Sequence, residues 1–256
     1  MADADLFANI DGRIFSGLAD GNTFISREGL EDWWSSPETR TSDDPLPQGH
    51  GAQTPASILL GARRFLFRGW QEADTLEEAE EFRAWAASLA VKPMFLVGVN
   101  WMGEWRWMRN ASVRGAVRVT PHRDNMLRTD IEMTLWSPDA FKYAGEVSRT
   151  VTSGLFTITN PGTASIYPWY RFSGGDFTVT TNRGDTLRLN APDNVHGTTT
   201  LSPYTGGRAV NVNGNVSTDL TRWLAKSRWP VVAPGETVTF TVDRAVTVTY
   251  YEGAWV

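Results

Sequence analysis

The sequence predicts a mainly β, α+β chain of two domains, residues 1–144 and 145–256, with one helix in the first domain. At 256 residues it exceeds the size at which a single core is usual. Only one stretch, Thr75 to about Ala90, carries the three- and four-residue apolar recurrence of an amphipathic helix. Most other apolar residues alternate over short runs bounded by Gly, Pro, Asn and Asp, the pattern of half-buried strands.

Along the chain, Asp43 to Pro55 is dense in Pro and Gly and reads as a long loop. Ser57 to Leu60 and Arg63 to Trp70 then read as a β-hairpin around Gly61, with Phe65 and Phe67 on one face and Arg64, Leu66 and Arg68 on the other. The helix opens with a capping box, in which Thr75 accepts from the Glu78 amide while Glu78 reaches back. Glu77 and Glu78 also suit the positive helix end. Leu76, Ala79, Phe82, Trp85, Ala86 and Leu89 form the buried stripe, and Glu80, Glu81 and Arg83 face solvent. Pro93 restarts extended structure, with strands over Met94 to Val97, Trp105 to Met108, Ala116 to Thr120 and Arg128 to Trp136.

Beyond Ser137 the helical period vanishes. Leu155 to Asn160, Phe177 to Thr181, Thr186 to Asn190, Ala209 to Val212, Thr237 to Val242 and Val246 to Tyr251 read as strands of a sandwich. Val238, Phe240 and Val242 face one way and Thr237, Thr239 and Thr241 the other. Asn160-Pro161-Gly162, Asn182-Arg183-Gly184, Asn213-Gly214 and Pro234-Gly235 supply the turns. The domain boundary falls near Tyr143 to Val147.

Composition narrows the function. A formal charge of −5 and a pI near 5.3 lack the Lys/Arg excess that neutralises phosphates, so DNA is expected to pass without specific binding. No cysteine is present, which removes disulfides, thiolate nucleophiles and Cys-type metal sites, so stability rests on packing or assembly. Met1 to Phe7 holds acids where an export signal needs positive charge, and no apolar run is long enough to span a bilayer, so no membrane association is expected.

His50, His122 and His196 are widely separated, and no nucleophile elbow, phosphate-cradling loop or dinucleotide fingerprint occurs. The carboxylate pairs Asp43-Asp44 and Glu77-Glu78 read as loop surface and helix cap. No enzyme is expected, and no catalytic, cofactor-binding or metal residue is nominated. Trp101, Trp105 and Trp107 form the densest aromatic cluster, and Trp105 and Trp107 share one strand face with Arg106 between them. They are candidates for core or subunit-interface packing. From Arg106 to Arg128 six arginines meet only Glu104 and Asp124. Arg114 and Arg118 are therefore candidate interface residues for the acidic N-terminal segment of a neighbour (Asp3, Asp5, Asp11, Asp20, Glu28, Glu31, Asp32). Trp169, Tyr170 and Trp223 are candidate carbohydrate contacts if exposed.

Several segments in order resemble the distal tail proteins of long-tailed bacteriophages. Gly61-Ala62-Arg63-Arg64 and Phe65-Leu66-Phe67-Arg68-Gly69 lead to the Glu-rich helix and then to strands ending in Trp136-Ser137-Pro138-Asp139-Ala140-Phe141-Lys142-Tyr143. That closing segment is similar to the family's aspartate–proline–aromatic junction with Pro138 and Asp139 transposed. Asn160-Pro161-Gly162-Thr163-Ala164-Ser165-Ile166-Tyr167-Pro168 with Phe172-Ser173-Gly174 resembles the opening of its second domain. Ser227-Arg228-Trp229-Pro230-Val231-Val232-Ala233-Pro234-Gly235 resembles the turn before its last strands.

The resemblance implies a tail-tube-like split β-barrel or sandwich that oligomerises, followed by a galectin-like β-sandwich. It implies a non-enzymatic minor tail protein of the virion, a homohexameric ring at the tail tip or baseplate, assembled in the host cytoplasm. The partners implied are the tail-tube protein, the tip hub or tail-associated protein and the tape-measure protein, with DNA passing through. Other readings of the same features are a carbohydrate-binding host-recognition module and a major tail-tube or connector subunit.

Overall fold

The computed structural model describes residues 6–18, 21–40, 44–45, 52–53, 59–190, 197–203, 208–210, 215–224 and 228–256. The chain divides into two compact units, Met1–Lys142 with Val256, and Tyr143–Trp255.

The first unit contains β1 (Leu6–Ile10), β2 (Arg13–Ser16), β3 (Thr23–Glu31), β4 (Asp44–Pro45), β5 (Ala52–Gln53), β6 (Arg63–Glu72), α1 (Leu76–Ser88), β7 (Phe95–Trp101), β8 (Glu104–Val113), β9 (Arg118–His122) and β10 (Asn125–Ser137), with β11 (Lys142–Tyr143) at the boundary. Its strands run in the order β8-β7-β1-β2-β3-β6-β10-β9. Leu135 and Trp136 of β10 also pair with Val113 and Ser112 of β8, so seven strands close into a barrel and lose their free edges. β9 lies outside that closure, paired along β10.

Alternation decides what fills the barrel. Phe65 and Phe67 point inward from β6, meeting Ile131, Met133 and Leu135 of β10, Val97 and Val99 of β7 and Phe15 of β2. Helix α1 adds Phe82, Ala86 and Leu89 to the same cluster. Its cap forms as the sequence predicts, with the Glu78 amide donating to Thr75 Oγ1 at 3.2 Å. Glu78 reaches back one residue further than expected, accepting from the Asp74 amide at 3.0 Å. Leu76 departs from the predicted stripe and is 60% exposed. It is the first helical residue, and a helical side chain leans toward the N-terminus, past the start of the helix.

The hairpin around Gly61 does not form. Leu60 bridges Thr39, and β6 lies between β3 and β10, because its apolar face is completed by those strands. Ser57 lies outside the described residues, as do His50, His196, Asp43 and the Asn213-Gly214 turn.

The second unit contains β12 (Glu146–Val151), β13 (Gly154–Thr159), β14 (Trp169–Ser173), β15 (Phe177–Thr181), β16 (Thr186–Leu189), β17 (Thr198–Ser202), β18 (Arg208–Val210), α2 (Thr218–Trp223), β19 (Thr237–Val242), β20 (Val246–Tyr251) and β21 (Ala254–Trp255). One sheet runs β12-β20-β14-β17-β18 and the other β13-β19-β15-β16. Phe177 of the second sheet stacks on Phe172 of the first at 4.4 Å between centroids and meets Tyr170 at 5.4 Å, so the sheets form a sandwich around an aromatic core.

Helix α2 corrects the expectation of no helix after Ser137. Ser217 caps it by accepting from the Leu220 amide at 3.2 Å, and six residues are too few to show a period in the sequence.

Candidate subunit interface

Outward-facing residues divide the barrel wall into two chemistries. On β8, β7, β1 and β2 the outward set is Trp105, Trp107, Leu96, Phe7 and Ile14, because their strand neighbours Met108, Val97, Val99, Ala8, Ile10 and Phe15 fill the core. Trp105 and Trp107 stack at 4.9 Å with their planes 15° apart. Gly98 stands opposite Trp107 in register, and a β-carbon there would collide with the indole, so the glycine lets the ring lie flat on the wall. Both rings are half-buried and lie outside the core cluster, which takes core packing out of the two roles expected of them.

Trp101 ends β7 with 44% of its surface exposed and meets Trp34, itself 56% exposed, edge to face at 6.2 Å. The turn that follows has Met102 at φ +55° and Gly103 at φ +84°, with the Gly103 amide donating to Asn100 Oδ1 at 3.2 Å. Tight hairpin turns of this kind favour Asn, Asp or Gly. A methionine there costs on the order of 1 kcal/mol, and this one is 71% exposed. An open cavity of about 490 Å³ lies beside Trp34, walled by Leu6, Ile25, Leu30, Glu28 and Glu31.

On β3, β6, β10 and β9 the outward set interleaves charged side chains with aromatic ones, Phe24 stacking on Trp70 at 4.0 Å. Arg68 Nε donates to Glu132 at 2.8 Å and its Nη1 reaches Glu31 at 3.3 Å, while the other Glu132 oxygen accepts from Arg118 at 3.1 Å. The Arg68 hydrogen bond holds the Glu132 carboxyl below its ordinary value. Arg128 lies 4.2 Å over Trp70 and pairs with Asp130, and Arg114 lies 3.9 Å over Trp136. The arginine-rich stretch is thus largely matched within its own chain, and Asp11, expected to serve a neighbour, pairs with Lys92 at 2.6 Å.

Sequence reasoning missed two buried cations. Arg63, 1% exposed, donates to the carbonyls of Ala140, Ser35 and Trp33, while Lys142, 6% exposed, donates to the same Trp33 carbonyl at 3.0 Å. Burial, reinforced by Arg63 and Arg106, pushes the Lys142 ammonium down to about 8, and burial pushes Arg63 down to about 10. Extending the inward Phe67, Phe65 alternation back one step reaches Arg63, which is the signal that was available.

The candidate carbohydrate contacts do not form a platform. Tyr170 is fully buried, since β14 turns it into the sandwich, so its exposure is corrected. Trp169 is half-buried against Tyr251 at 5.4 Å, and Trp223 closes α2 with a side chain outside the described residues. Among the described residues no three His, Asp or Glu side chains cluster as a metal site.

No protein-family model and no curated protein matches the chain. Solved structures do match in fold. The crystal structure of SPP1 Dit (gp 19.1), described as a paradigm of the hub adsorption apparatus in Gram-positive infecting phages, aligns with a TM-score of 0.62 at 16% identity, covering 98% of this chain and 99% of that one. The phage p2 baseplate in its activated conformation, with Sr or with Ca, aligns with a TM-score of 0.51 at 10% identity, covering 97% of this chain and 98% of the other. The chain has a Dit-like fold along nearly its whole length.

Proposed function

We propose that this chain is a structural distal tail protein of a long-tailed bacteriophage, without enzymatic activity, forming a homohexameric ring at the tail tip that joins the tail tube to the tip or baseplate. In this reading residues 1–144 are the tube-like ring-forming domain and residues 145–256 a galectin-like sandwich. The ring assembles in the host cytoplasm, docks the tail-tube protein on one side and the tip hub on the other, meets the tape-measure protein, and lets DNA pass. The reading rests on mutual coverage: 98% of this chain aligns with 99% of SPP1 Dit, so the likeness of fold extends over both units.

A ring requires head-to-tail contacts whose rotation closes. Trp101, Trp105, Trp107, Arg114 and Arg118 are the residues assigned to those contacts. Light scattering and negative-stain micrographs of the purified chain test the reading. Rings of six times the 28.5 kDa chain mass are expected, and a monomer at every concentration with tail-tube protein added would sink it.

A further inference from the structure

The two chemistries of the barrel wall carry a finer statement, which rests on the ring reading. Around the Trp34, Trp101 and Met102 patch stand Glu28 and Glu31, which line the cavity beside Trp34, and Glu104, which stands opposite Trp101 in register. Their intrachain cations sit deeper: Arg68 is 33% exposed against 81% for Glu28 and 55% for Glu31, and Arg106 is 24% exposed against 70% for Glu104. Arg27 is the one exposed cation on β3, so the patch presents apolar side chains in a net acidic rim.

The hairpin from β9 to β10 has the opposite character. Arg118 is 75% exposed, Arg123 is exposed with no ion pair among the described residues, and Met126 is 55% exposed, with Asp124 the one acid at the turn. The tip of that hairpin and the patch flank opposite ends of β6, while Arg118, at the root of the hairpin, stands opposite Glu132 and so level with Arg68. Glu31 stands opposite Leu66, whereas Arg128, two residues beyond Met126, stands opposite Glu72. Six residues of strand separate those levels, about 20 Å at 3.3 Å per residue. One chain therefore cannot bring the tip of its own hairpin to its own patch, and a basic hairpin carrying one exposed apolar side chain complements an acidic rim around an apolar patch in a head-to-tail contact.

We propose that the Trp34–Trp101–Met102 patch of one copy receives the Arg118–Met126 hairpin of the next, with Met126 against the exposed indoles and Arg118 and Arg123 against Glu28, Glu31 and Glu104. The strained, exposed Met102 then has a role, since it supplies apolar surface to the neighbour at the expense of its own turn.

The absence of cysteine makes the test direct. Met102→Cys with Met126→Cys in one chain, assembled and oxidised, is expected to give a ladder of covalent multimers on a non-reducing gel, while either single variant gives none. Rings in the micrographs with no ladder from the double variant overturn this contact and leave the ring reading standing, whereas failure of the wild-type chain to assemble removes both.

Charge reversal is the second arm. Glu28→Arg with Glu31→Arg, and separately Arg118→Glu with Arg123→Glu, are each expected to weaken association at least tenfold. Mixing the two variants should restore it, because every interface then pairs either both wild-type or both reversed surfaces; no restoration by folded variants overturns the contact. Met102→Asn should raise the thermal midpoint of the dissociated chain while weakening assembly, and unchanged assembly would count against the contact.

Discussion

The two units bury polar groups in opposite ways. In the sandwich, Asn160 is fully buried and fully satisfied, its Nδ2 donating to the carbonyls of Ala164 at 2.8 Å and Val232 at 3.0 Å and its Oδ1 accepting from the Gly162 amide at 3.0 Å. In the barrel, Arg63 and Lys142 are almost as deeply buried but share the Trp33 carbonyl, and Arg63 Nη2 has no acceptor among the described residues. A satisfied buried group pins a turn; an oversupplied pair of cations carries desolvation that their acceptors do not fully offset.

The largest effect should come from breaking the satisfied side. Asn160→Ala leaves the Ala164 carbonyl and the Gly162 amide without their partner at the base of the Asn160-Pro161-Gly162 turn, while the Val232 carbonyl keeps the Ile166 amide, and at about 1–3 kcal/mol per orphaned group the loss should reach about 4 kcal/mol. Urea unfolding of the full chain measures it. A loss under about 1 kcal/mol would mean that water reaches the turn and that the contrast between the units is not one of satisfaction.

The next effect tests the oversupplied side through pH. Lys142 has a folded value of about 8 against an ordinary 10.5, so the folded state binds its proton less tightly than the unfolded chain. The destabilisation is complete below pH 8 and fades as pH rises from 8 to 10.5, so stability should increase across that window, by up to about 3 kcal/mol at 1.36 kcal/mol per unit. Lys142→Met should flatten the rise and be more stable than the parent at pH 7, since Arg63 still donates to the Trp33 carbonyl. Denaturant midpoints at pH 7, 8, 9 and 10 decide this. A parent profile that falls over the window would show that the ammonium is well compensated.

That contrast also marks what the sequence could reveal. Strands such as Phe177–Thr181 and Val246–Tyr251, and the capped helix, were legible because alternation and a capping box are local signals. The partner of Arg63–Glu72 was not, because whether a strand meets its sequence neighbour or β3 and β10 is decided by barrel closure, which no window contains. The stacking of Trp105 on Trp107 followed from their shared face, but its platform, Gly98, belongs to another strand. Trp34 drew no attention because its partner Trp101 lies far along the chain and meets it only in three dimensions. Tyr170 was misplaced because its neighbour Trp169 does reach the surface, and a strand sends adjacent residues to opposite faces.

Tyr170, with Arg149 Nε, is an exception that sharpens the comparison, because it places an unsatisfied group on the better-satisfied side. Its hydroxyl is buried without a hydrogen-bond partner among the described residues, and burial pushes its ionisation well above the ordinary 10. Two consequences follow with opposite dependence on pH. At neutral pH the orphaned hydroxyl is a cost, so Tyr170→Phe, which keeps the ring against Phe177, should stabilise the chain by about 1 kcal/mol. Above pH 10 the unfolded chain releases the phenolic proton while the folded chain retains it, so this group lowers stability as pH rises, and the Phe variant should lose that decline. The parent curve should therefore climb from pH 8 on account of Lys142, while above pH 10 Arg63 continues the climb and Tyr170 opposes it, so Lys142→Met should flatten the curve between pH 8 and 10 and Tyr170→Phe should steepen it above pH 10. If Tyr170→Phe instead destabilises, the hydroxyl has an acceptor, and Arg149 Nε would then be the one buried side-chain atom of the sandwich without a hydrogen bond among the described residues.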